Sequence, residues 1–365
     1  MPQSPLYEQE ESLGAKFSPF AGWQMPLEYA GGGVLAEHGA VRERVGLFDV
    51  SHLGQISVRG DGAAAYLNTR LTNDLGRIGS GQAQYTLLCQ ADGGVVDDMI
   101  AYLFSPDEVR LIPNAANCAT VADHLGQGRL DGLSVSNEHG QFAVLAVQGP
   151  SSPDVVKALR LPYQMDYMAF QAADFEGWPV TVCRTGYTGE TGFELVAPNE
   201  SAVSLWQAIL AAGAPFGIMA AGLGARDTLR TEMGYPLHGQ DITVDIDAVQ
   251  AGLGWAIGWA KPDFDGAQAL AAIKADGPSR RLRGLRAQGR GIPRPGMAVV
   301  SADSDQAELG IVTSGTFSPT LRTGIALALI DSQIPLGAVV SVGIRGRVEA
   351  FDVVKPPFVT TKVRS

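Results

Sequence analysis

Two adjacent aspartates inside an apolar stretch constrain the fold of this chain more than any other feature. Residues 94–104 read Gly-Val-Val-Asp-Asp-Met-Ile-Ala-Tyr-Leu-Phe. With a period of two, Asp97 and Asp98 fall on opposite faces, and both faces are otherwise apolar. That pattern predicts a β-strand that is covered on both sides.

A carboxylate on such a strand loses much of its hydration, which is costly unless a partner compensates for the loss. We interpret one aspartate as satisfied by backbone N–H groups or an arginine. The other is then kept for chemistry, with a pKa raised by desolvation. The periodicity does not decide which aspartate has which role.

The composition is that of a globular protein with two or three domains. The chain has 365 residues, of which 45% are hydrophobic and 18% charged, and its 45 glycines and 21 prolines predict many turns and short strands. A formal net charge of −11 argues against non-specific binding to nucleic acid or to anionic membranes. An anionic ligand therefore has to be held by a local arginine.

Cysteine usage and hydropathy predict a cytoplasmic protein. Cys89, Cys118 and Cys183 are widely spaced, which is typical of small buried side chains in a reducing compartment. Residues 1–14 are polar and acidic and contain no apolar signal core. No apolar run approaches the ~18 residues needed to span a bilayer.

The first half of the chain shows short elements around the aspartate pair. Residues 16–29 are rich in aromatics and interrupted by prolines, which predicts an irregular stretch, either a lid on the core or one wall of a ligand cavity. Residues 34–45 and 116–126 have helical patterns. A strand at 84–89 precedes the central strand, and turn residues at 105–108 return the chain as a hairpin. Asn114 should then lie near the aspartates across the sheet.

Two further segments carry polar groups in apolar surroundings. Residues 178–183 and 192–196 are predicted strands joined by a loop, with Glu194 between two apolar residues. Residues 221–234 are a predicted helix with Arg226 in its first turn, where a guanidinium can bind a carboxylate. The alternative is a surface arginine paired with Asp227 or Glu232.

From residue 280 onward, short apolar runs alternate with glycine and proline, which predicts a separate all-β barrel.

The five histidines lack metal-ligand spacing, so no metal site is expected. Neither G-x-S-x-G nor G-x-G-x-x-G occurs after a strand. The remaining polar groups suit a flat, partly anionic organic ligand, but they do not identify a reaction.

Motifs along the whole chain resemble those of the glycine cleavage system aminomethyltransferases, the T-protein family. The matching segments, in the expected order, are residues 20–27 (FAGWQMPL), 48–52 (FDVSH), 93–100, 148–150 (QGP), 186–194, 222–230 (GLGARDTLR), 313–320 (TSGTFSPT) and 355–359. The resemblance implies an α+β fold, a three-domain cloverleaf of mixed α/β folate-binding domains around a central cavity, with a C-terminal β-barrel. The folate-binding region, two interleaved domains, would cover residues 1–279, and the barrel 280–365.

The same resemblance implies a reaction. An aminomethyl group on the dihydrolipoyl arm of the lipoylated H-protein gives its methylene carbon to tetrahydrofolate, and ammonia leaves. Asp98 is the implied catalytic residue beside N10 of the folate, and Asp97 is its structural neighbour. Folate contacts carry over to the cavity residues Tyr85, Asn114, Tyr187, Glu194 and Arg226, and Trp255 is a weaker candidate for a cavity wall.

Two departures and three alternatives accompany this interpretation. Leu53 and His238 stand where many family members have methionine and tyrosine. One alternative is another tetrahydrofolate-dependent C1 transferase or demethylase of the same fold. A second is a non-catalytic folate-binding relative used in iron–sulfur cluster maintenance, but the Lys-Gly-Cys-Tyr motif of that group is absent here. The third, an acidic scaffold, leaves the aspartate pair unexplained.

Overall fold

The structure is a computed structural model, and it describes residues 1–303, 307–344 and 346–364. The helices are α1 (Tyr7–Ser12), α2 (Gly33–Glu43), α3 (Ala63–Asn68), α4 (Cys118–Gly126), α5 (Ser152–Ala158), α6 (Ala202–Gly213), α7 (Leu223–Met233) and α8 (Ala267–Asp276). The strands from the N-terminus are β1 (Lys16–Phe20), β2 (Trp23–Glu28), β3 (Gly46–Asp49), β4 (Ile56–Arg59), β5 (Gln82–Cys89), β6 (Val95–Ser105), β7 (Glu108–Pro113), β8 (Ser134–Asn137), β9 (Phe142–Gln148), β10 (Phe170–Phe175), β11 (Trp178–Cys183), β12 (Gly192–Pro198) and β13 (Met219–Ala220). The strands of the C-terminal region are β14 (Arg280–Ala287), β15 (Ala298–Ser301), β16 (Glu308–Ser318), β17 (Thr323–Asp331), β18 (Val339–Ile344) and β19 (Arg347–Val354).

Contacts between residues divide the chain into two units. The first unit comprises Met1–Thr86, Asp98–Asp227 and the C-terminal residues from Lys362, and the second comprises Leu87–Asp97 and Thr228–Thr361. The boundary passes between Asp97 and Asp98. The predicted division at residue 280 stays a prediction.

The predicted hairpin after the aspartate pair is confirmed. Strand β6 pairs antiparallel with β7, with Met99 opposite Pro113, in a sheet of order β5-β6-β7-β4-β8. The prediction that β6 is covered on both sides is wrong for one face. Alternate residues including Asp97 are buried, whereas Asp98 lies on a face that is only partly covered near it. An aspartate on the partly covered face keeps access to a ligand.

The prediction of an irregular stretch at residues 16–29 is also wrong. Strands β1 and β2 form an antiparallel two-stranded ribbon in which Pro19 pairs with Gln24 and Pro26 with Phe17. Proline lacks the N–H that an inner strand must donate. A two-stranded ribbon leaves one side of each strand unpaired, so it tolerates proline where a central strand does not.

The main apolar core of the first unit lies on a mixed sheet of order β10-β11-β12-β9-β3-β13. Only the β3–β13 pair is parallel among the pairings described for this sheet. Helices α5 and α6 cover it with fully buried side chains such as Val155 and Trp206, which pack with Phe193 and Leu195 of β12. Burial of each such side chain contributes about 1.5–3 kcal/mol.

The all-β region predicted from residue 280 is confirmed as a closed barrel of order β14-β17-β16-β15-β18-β19. Pairing of β14 with both β17 and β19 closes the barrel. Its core contains Val340, Val342 and Phe351, which are fully buried. Val340 and Val342 are two residues apart on β18 and therefore lie on the same face of the strand.

The three cysteines are buried and carry free thiols, as expected. Among the helices of the described residues, none is both long enough and apolar enough to cross a bilayer.

Candidate functional site

Asp98 is held at the centre of a small polar cluster in the first unit. The hydroxyl of Tyr85 donates to one carboxylate oxygen of Asp98 at 3.0 Å, and Asn114 Nδ2 donates to the other at 2.8 Å. Asn114 Nδ2 also donates to the main-chain oxygen of Asp98 at 3.1 Å. The three side chains are half-buried. Donors to both oxygens fix the orientation of the carboxylate.

The sheet explains why these three residues meet. Tyr85 lies on β5 and Asp98 on β6, which are neighbours in the sheet, and Asn114 directly follows the end of β7 on the other side of β6. The pairing of Met99 with Pro113 brings Asn114 level with Asp98. The sequence-based expectation that Asn114 lies beside the aspartates is therefore confirmed.

Glu194 lies in a second polar group that reaches the same strand. Thr185 Oγ1 donates to Glu194 Oε2 at 2.5 Å, and Thr185 Oγ1 lies 3.2 Å from the hydroxyl of Tyr102. Tyr102 and Asp98 share β6, four residues apart. Burial raises the pKa of Tyr102 well above its usual value, so the phenol stays neutral. Sequence reasoning missed Thr185 and Tyr102.

Arg226 stacks on Tyr187. Its guanidinium carbon lies 4.6 Å from the centre of the tyrosine ring, which is a cation–π distance. Arg226 is the fourth residue of α7, and Tyr187 lies in the β11–β12 loop, residues 184–191. Both side chains are half-buried. Glu232, which the sequence offered as a possible partner, instead accepts hydrogen bonds from Ser318 and Thr320 in the second unit.

Gln148 at the end of β9 supports the β11–β12 loop. Its Nε2 donates to the main-chain oxygen of Thr185 at 3.1 Å, and Thr188 Oγ1 donates to its Oε1 at 2.8 Å. A Cβ at Gly186 would come within 2.1 Å of this side chain, and one at Gly192 within 2.3 Å. Glycine at both positions is therefore needed for the glutamine to lie between the loop ends. The Gln-Gly-Pro motif was visible in the sequence, but this supporting role was not.

His52 is a buried residue near Arg226 that sequence reasoning did not place in the site. Burial, followed by the positive charge of Arg226, lowers the pKa of His52 to about 3. Its imidazole is therefore neutral at physiological pH. The ring lies 5.4 Å from that of Phe20, edge to face. The N-terminal ribbon, which ends its first strand at Phe20, thus reaches this part of the first unit.

Three residues considered in the sequence belong to the second unit. Asp97 is fully buried, which fits a structural role. His238 Nε2 lies 2.9 Å from the main-chain oxygen of Val95. Trp255 is 63% exposed, and its assignment to a cavity wall stays a prediction.

Comparisons with known proteins agree along the whole chain. A family profile described as the GCVT N-terminal domain matches residues 6–261, and one described as the glycine cleavage T-protein C-terminal barrel domain matches residues 280–360. The chain is 57% identical over 362 residues to a protein named aminomethyltransferase from Parafrankia sp., covering 99% of each chain. It is 56% identical over 362 residues to one of the same name from Mycobacterium tuberculosis, covering 99% of this chain and 97% of the relative.

A solved structure extends the likeness to three dimensions. The crystal structure of glycine cleavage system aminomethyltransferase T from Bartonella henselae superposes with a TM-score of 0.93 at 34% sequence identity. The match covers 100% of this chain and 99% of that one. The mixed α/β fold with a C-terminal six-stranded barrel is thereby confirmed.

Proposed function

Because the chain belongs to the glycine cleavage T-protein family and is an aminomethyltransferase, we propose that the residues around Asp98 form its transfer site. The donor is an aminomethyl group on the dihydrolipoyl arm of a lipoylated H-protein. The acceptor is tetrahydrofolate, and the carbon–sulfur and carbon–nitrogen bonds of the aminomethyl group break, so ammonia and the free dihydrolipoyl thiol of the carrier are released beside the 5,10-methylene product. The observation that carries this assignment is the Asp98 carboxylate, oriented by Tyr85 and Asn114 on a partly covered face of β6.

The polar groups of the first unit fit the chemistry of a reduced folate. Glu194 is only 8% exposed, and a buried carboxylate needs hydrogen-bond donors to offset its lost hydration. The amino-pyrimidinone edge of a pterin offers such donors beside the one from Thr185. The stacked pair of Arg226 and Tyr187 supplies a flat surface and a positive charge for the aromatic and anionic parts of the ligand.

Bound tetrahydrofolate supplies amine nitrogens that take up the one-carbon unit as a 5,10-methylene bridge. Asp98 accepts a hydrogen bond from an amine N–H and thereby orients the nitrogen lone pair, or it takes the proton as the nitrogen reacts. Tyr85 and Asn114 hold the carboxylate in one orientation, so little reorganisation is needed during the reaction. The fully buried Asp97 carboxylate has a structural role in this proposal and takes no part in the transfer.

The substitution Asp98→Asn tests this role. Asparagine preserves the size of the side chain but cannot take up a proton, so we expect kcat to fall at least about 100-fold, within the range typical of general acid–base groups. Turnover is measured with aminomethyl-loaded H-protein and tetrahydrofolate, and folding by thermal unfolding. The control is Asp61→Asn, which alters an exposed aspartate of the same unit and should leave kcat unchanged. Near-normal turnover in Asp98→Asn would remove Asp98 from the reaction.

The same assay distinguishes the donor. Replacing H-protein with small methylated amines tests for a folate-dependent C1 transferase or demethylase of the same fold. We expect turnover only with the lipoylated carrier. Faster turnover with a small amine would contradict the proposed partner while leaving the folate site intact.

We further propose a cytoplasmic location, which fits the three buried free thiols and is checked by cell fractionation.

A further inference from the structure

Lys362, near the C-terminus, makes main-chain contacts on both sides of Glu190 in the β11–β12 loop. The N–H of Lys362 donates to the main-chain oxygen of Gly189 at 2.8 Å. The hydroxyl of Thr191 donates to the main-chain oxygen of Lys362 at 3.0 Å. The last residues of the chain, from Lys362, belong to the first unit together with this loop. Lys362 is therefore hydrogen-bonded to a loop that lies 171 residues before it in the sequence.

Glu190 joins the loop to two cations. Its carboxylate lies 3.1 Å from Nη1 of Arg42 on α2 and 3.6 Å from Nζ of Lys362. The Glu190 side chain is almost fully buried, whereas that of Lys362 is half exposed. Arg42 Nη1 also donates to the main-chain oxygen of Thr188 at 2.6 Å. If the loop moved, the buried Glu190 carboxylate would lose its cation partners, which costs more free energy than breaking an exposed ion pair. The two ion pairs therefore restrict the movement of the loop.

The loop held in this way carries Tyr187, the residue on which Arg226 stacks. Residues 188–191 are fixed by α2, by Gln148 and by Lys362, and Tyr187 directly precedes them. A loop that is already ordered loses less conformational entropy when a ligand binds. The position of Tyr187 before binding therefore affects affinity.

We propose that Lys362 is a positioning residue for the folate site: its main chain and ammonium group hold the β11–β12 loop so that Tyr187 stays beneath Arg226. This inference rests on the function proposed above. Lys362 acts through the loop and does not need to touch the ligand. Its effect is on the binding of tetrahydrofolate, not on the transfer step.

Two substitutions separate the contributions of Lys362. Lys362→Ala removes the ammonium group and keeps the main-chain N–H, whereas Lys362→Pro removes both. The matched control is Lys355→Ala, an exposed lysine seven residues earlier. Thr191→Val, which removes the hydroxyl that donates to Lys362, provides a second route if the proline variant does not fold.

The first measurement is hydrogen exchange of residues 186–191 in the ligand-free protein, which does not depend on any activity. We expect exchange to be fastest in Lys362→Pro, intermediate in Lys362→Ala, and equal to the parent in Lys355→Ala. Unchanged exchange in both Lys362 variants and in Thr191→Val would overturn the positioning role, whatever the protein binds.

The second measurement is the affinity for tetrahydrofolate together with steady-state kinetics. Loss of one or two hydrogen bonds should weaken binding about three- to tenfold in Lys362→Pro and raise KM for folate similarly. The kcat at saturating folate should stay within about twofold of the parent, because Asp98 and its partners are unchanged. Faster loop exchange with unaltered folate affinity would overturn the inference by separating the loop from the folate site. A fall in kcat at constant KM would also overturn it.

Discussion

At the scale of single residues, Arg226 combines two roles that sequence alone cannot separate. Its guanidinium lies 4.6 Å above the Tyr187 ring, and its charge contributes to the low pKa of His52. The stacking and the effect on the pKa of His52 both require that the guanidinium stay close to Tyr187 and His52. Lysine carries the same charge but lacks the planar group that stacks on a ring. The geometry therefore favours a binding role over that of a surface charge.

We predict that Arg226→Ala weakens the binding of tetrahydrofolate about tenfold or more, which corresponds to roughly 1.4 kcal/mol, and changes the melting temperature by only a few degrees. The reason is that Arg226 contacts the ligand in the proposed site, whereas the apolar core described for this unit does not include it. Calorimetric titration and thermal unfolding give the two quantities. Arg129→Ala, an exposed arginine of the same unit, is the control. Equal melting losses with unchanged affinity would make Arg226 structural.

At the scale of elements, helix α1 is joined to strand β3 by two buried carboxyl groups. Glu10 of α1 is fully buried and accepts a hydrogen bond from Tyr29 at 3.0 Å. Asp49 at the end of β3 accepts from the main-chain N–H of Ser51 at 2.8 Å and from the hydroxyl of Ser4. Burial, followed by the charge of Asp49, raises the pKa of Glu10 to about 9. Glu10 therefore stays protonated at neutral pH.

This raised pKa predicts a pH dependence of stability. The folded-state pKa of Glu10, about 9, lies above its ordinary value of 4.5. Its contribution is fully present below pH 4.5 and is lost as pH rises toward 9, because unfolding releases the proton in this range. The free energy of unfolding should fall by up to about 1.4 kcal/mol per pH unit. Urea unfolding between about pH 6 and about pH 9 measures this slope, because in this range Glu10 is protonated in the folded state and ionised in the unfolded state.

Glu10→Gln isolates the effect, because glutamine can donate a hydrogen bond to Asp49 without titrating. We expect this variant to show a flatter decline in stability with pH than the parent. Glu8→Gln, on the exposed side of the same helix, should keep the parental slope. The same slope in Glu10→Gln and in the parent would show that another group titrates.

At the scale of the whole molecule, the barrel depends on residues that precede it. Asp241 is fully buried in the second unit and accepts hydrogen bonds from Thr313 at 2.5 Å and Ser314 at 2.8 Å, both on β16. Arg230 of α7 pairs with the same carboxylate at 2.8 Å. The six strands close on themselves, but Asp241 and Arg230, which anchor this buried network, lie outside the range 280–365.

We therefore predict that a fragment of residues 280–361 folds as a barrel but is less stable than a fragment of residues 228–361. The difference in free energy of unfolding should be at least about 2 kcal/mol, the contribution of hydrogen bonds to a buried charge. Urea unfolding of the two fragments measures it. Asp241→Asn in the longer fragment should abolish most of the difference. Equal stabilities would mean that the barrel is independent of the network.

The sequence by itself determined the elements whose burial pattern and turns are local. The strand of the aspartate pair follows from period-two alternation, and its hairpin to Asn114 follows from turn residues. The C-terminal barrel follows from short apolar runs separated by glycine and proline. Local patterns failed to predict strands β1 and β2, because each strand has one unpaired side on which a proline can lie without the loss of a hydrogen bond. They also failed to show that the face of Asp98 is only partly covered, since apolar residues can line a ligand site as well as a core.

Only the tertiary structure decided which polar groups meet. Tyr102 and Thr185 are 83 residues apart, and Lys362 contacts a loop 171 residues away, so no spacing in the chain indicates either pair. Such contacts depend on how sheets and chain ends pack, which involves the whole chain at once. The sequence thus marked the aspartate pair as the candidate for the chemistry, and packing determined that Tyr85 and Asn114 orient Asp98.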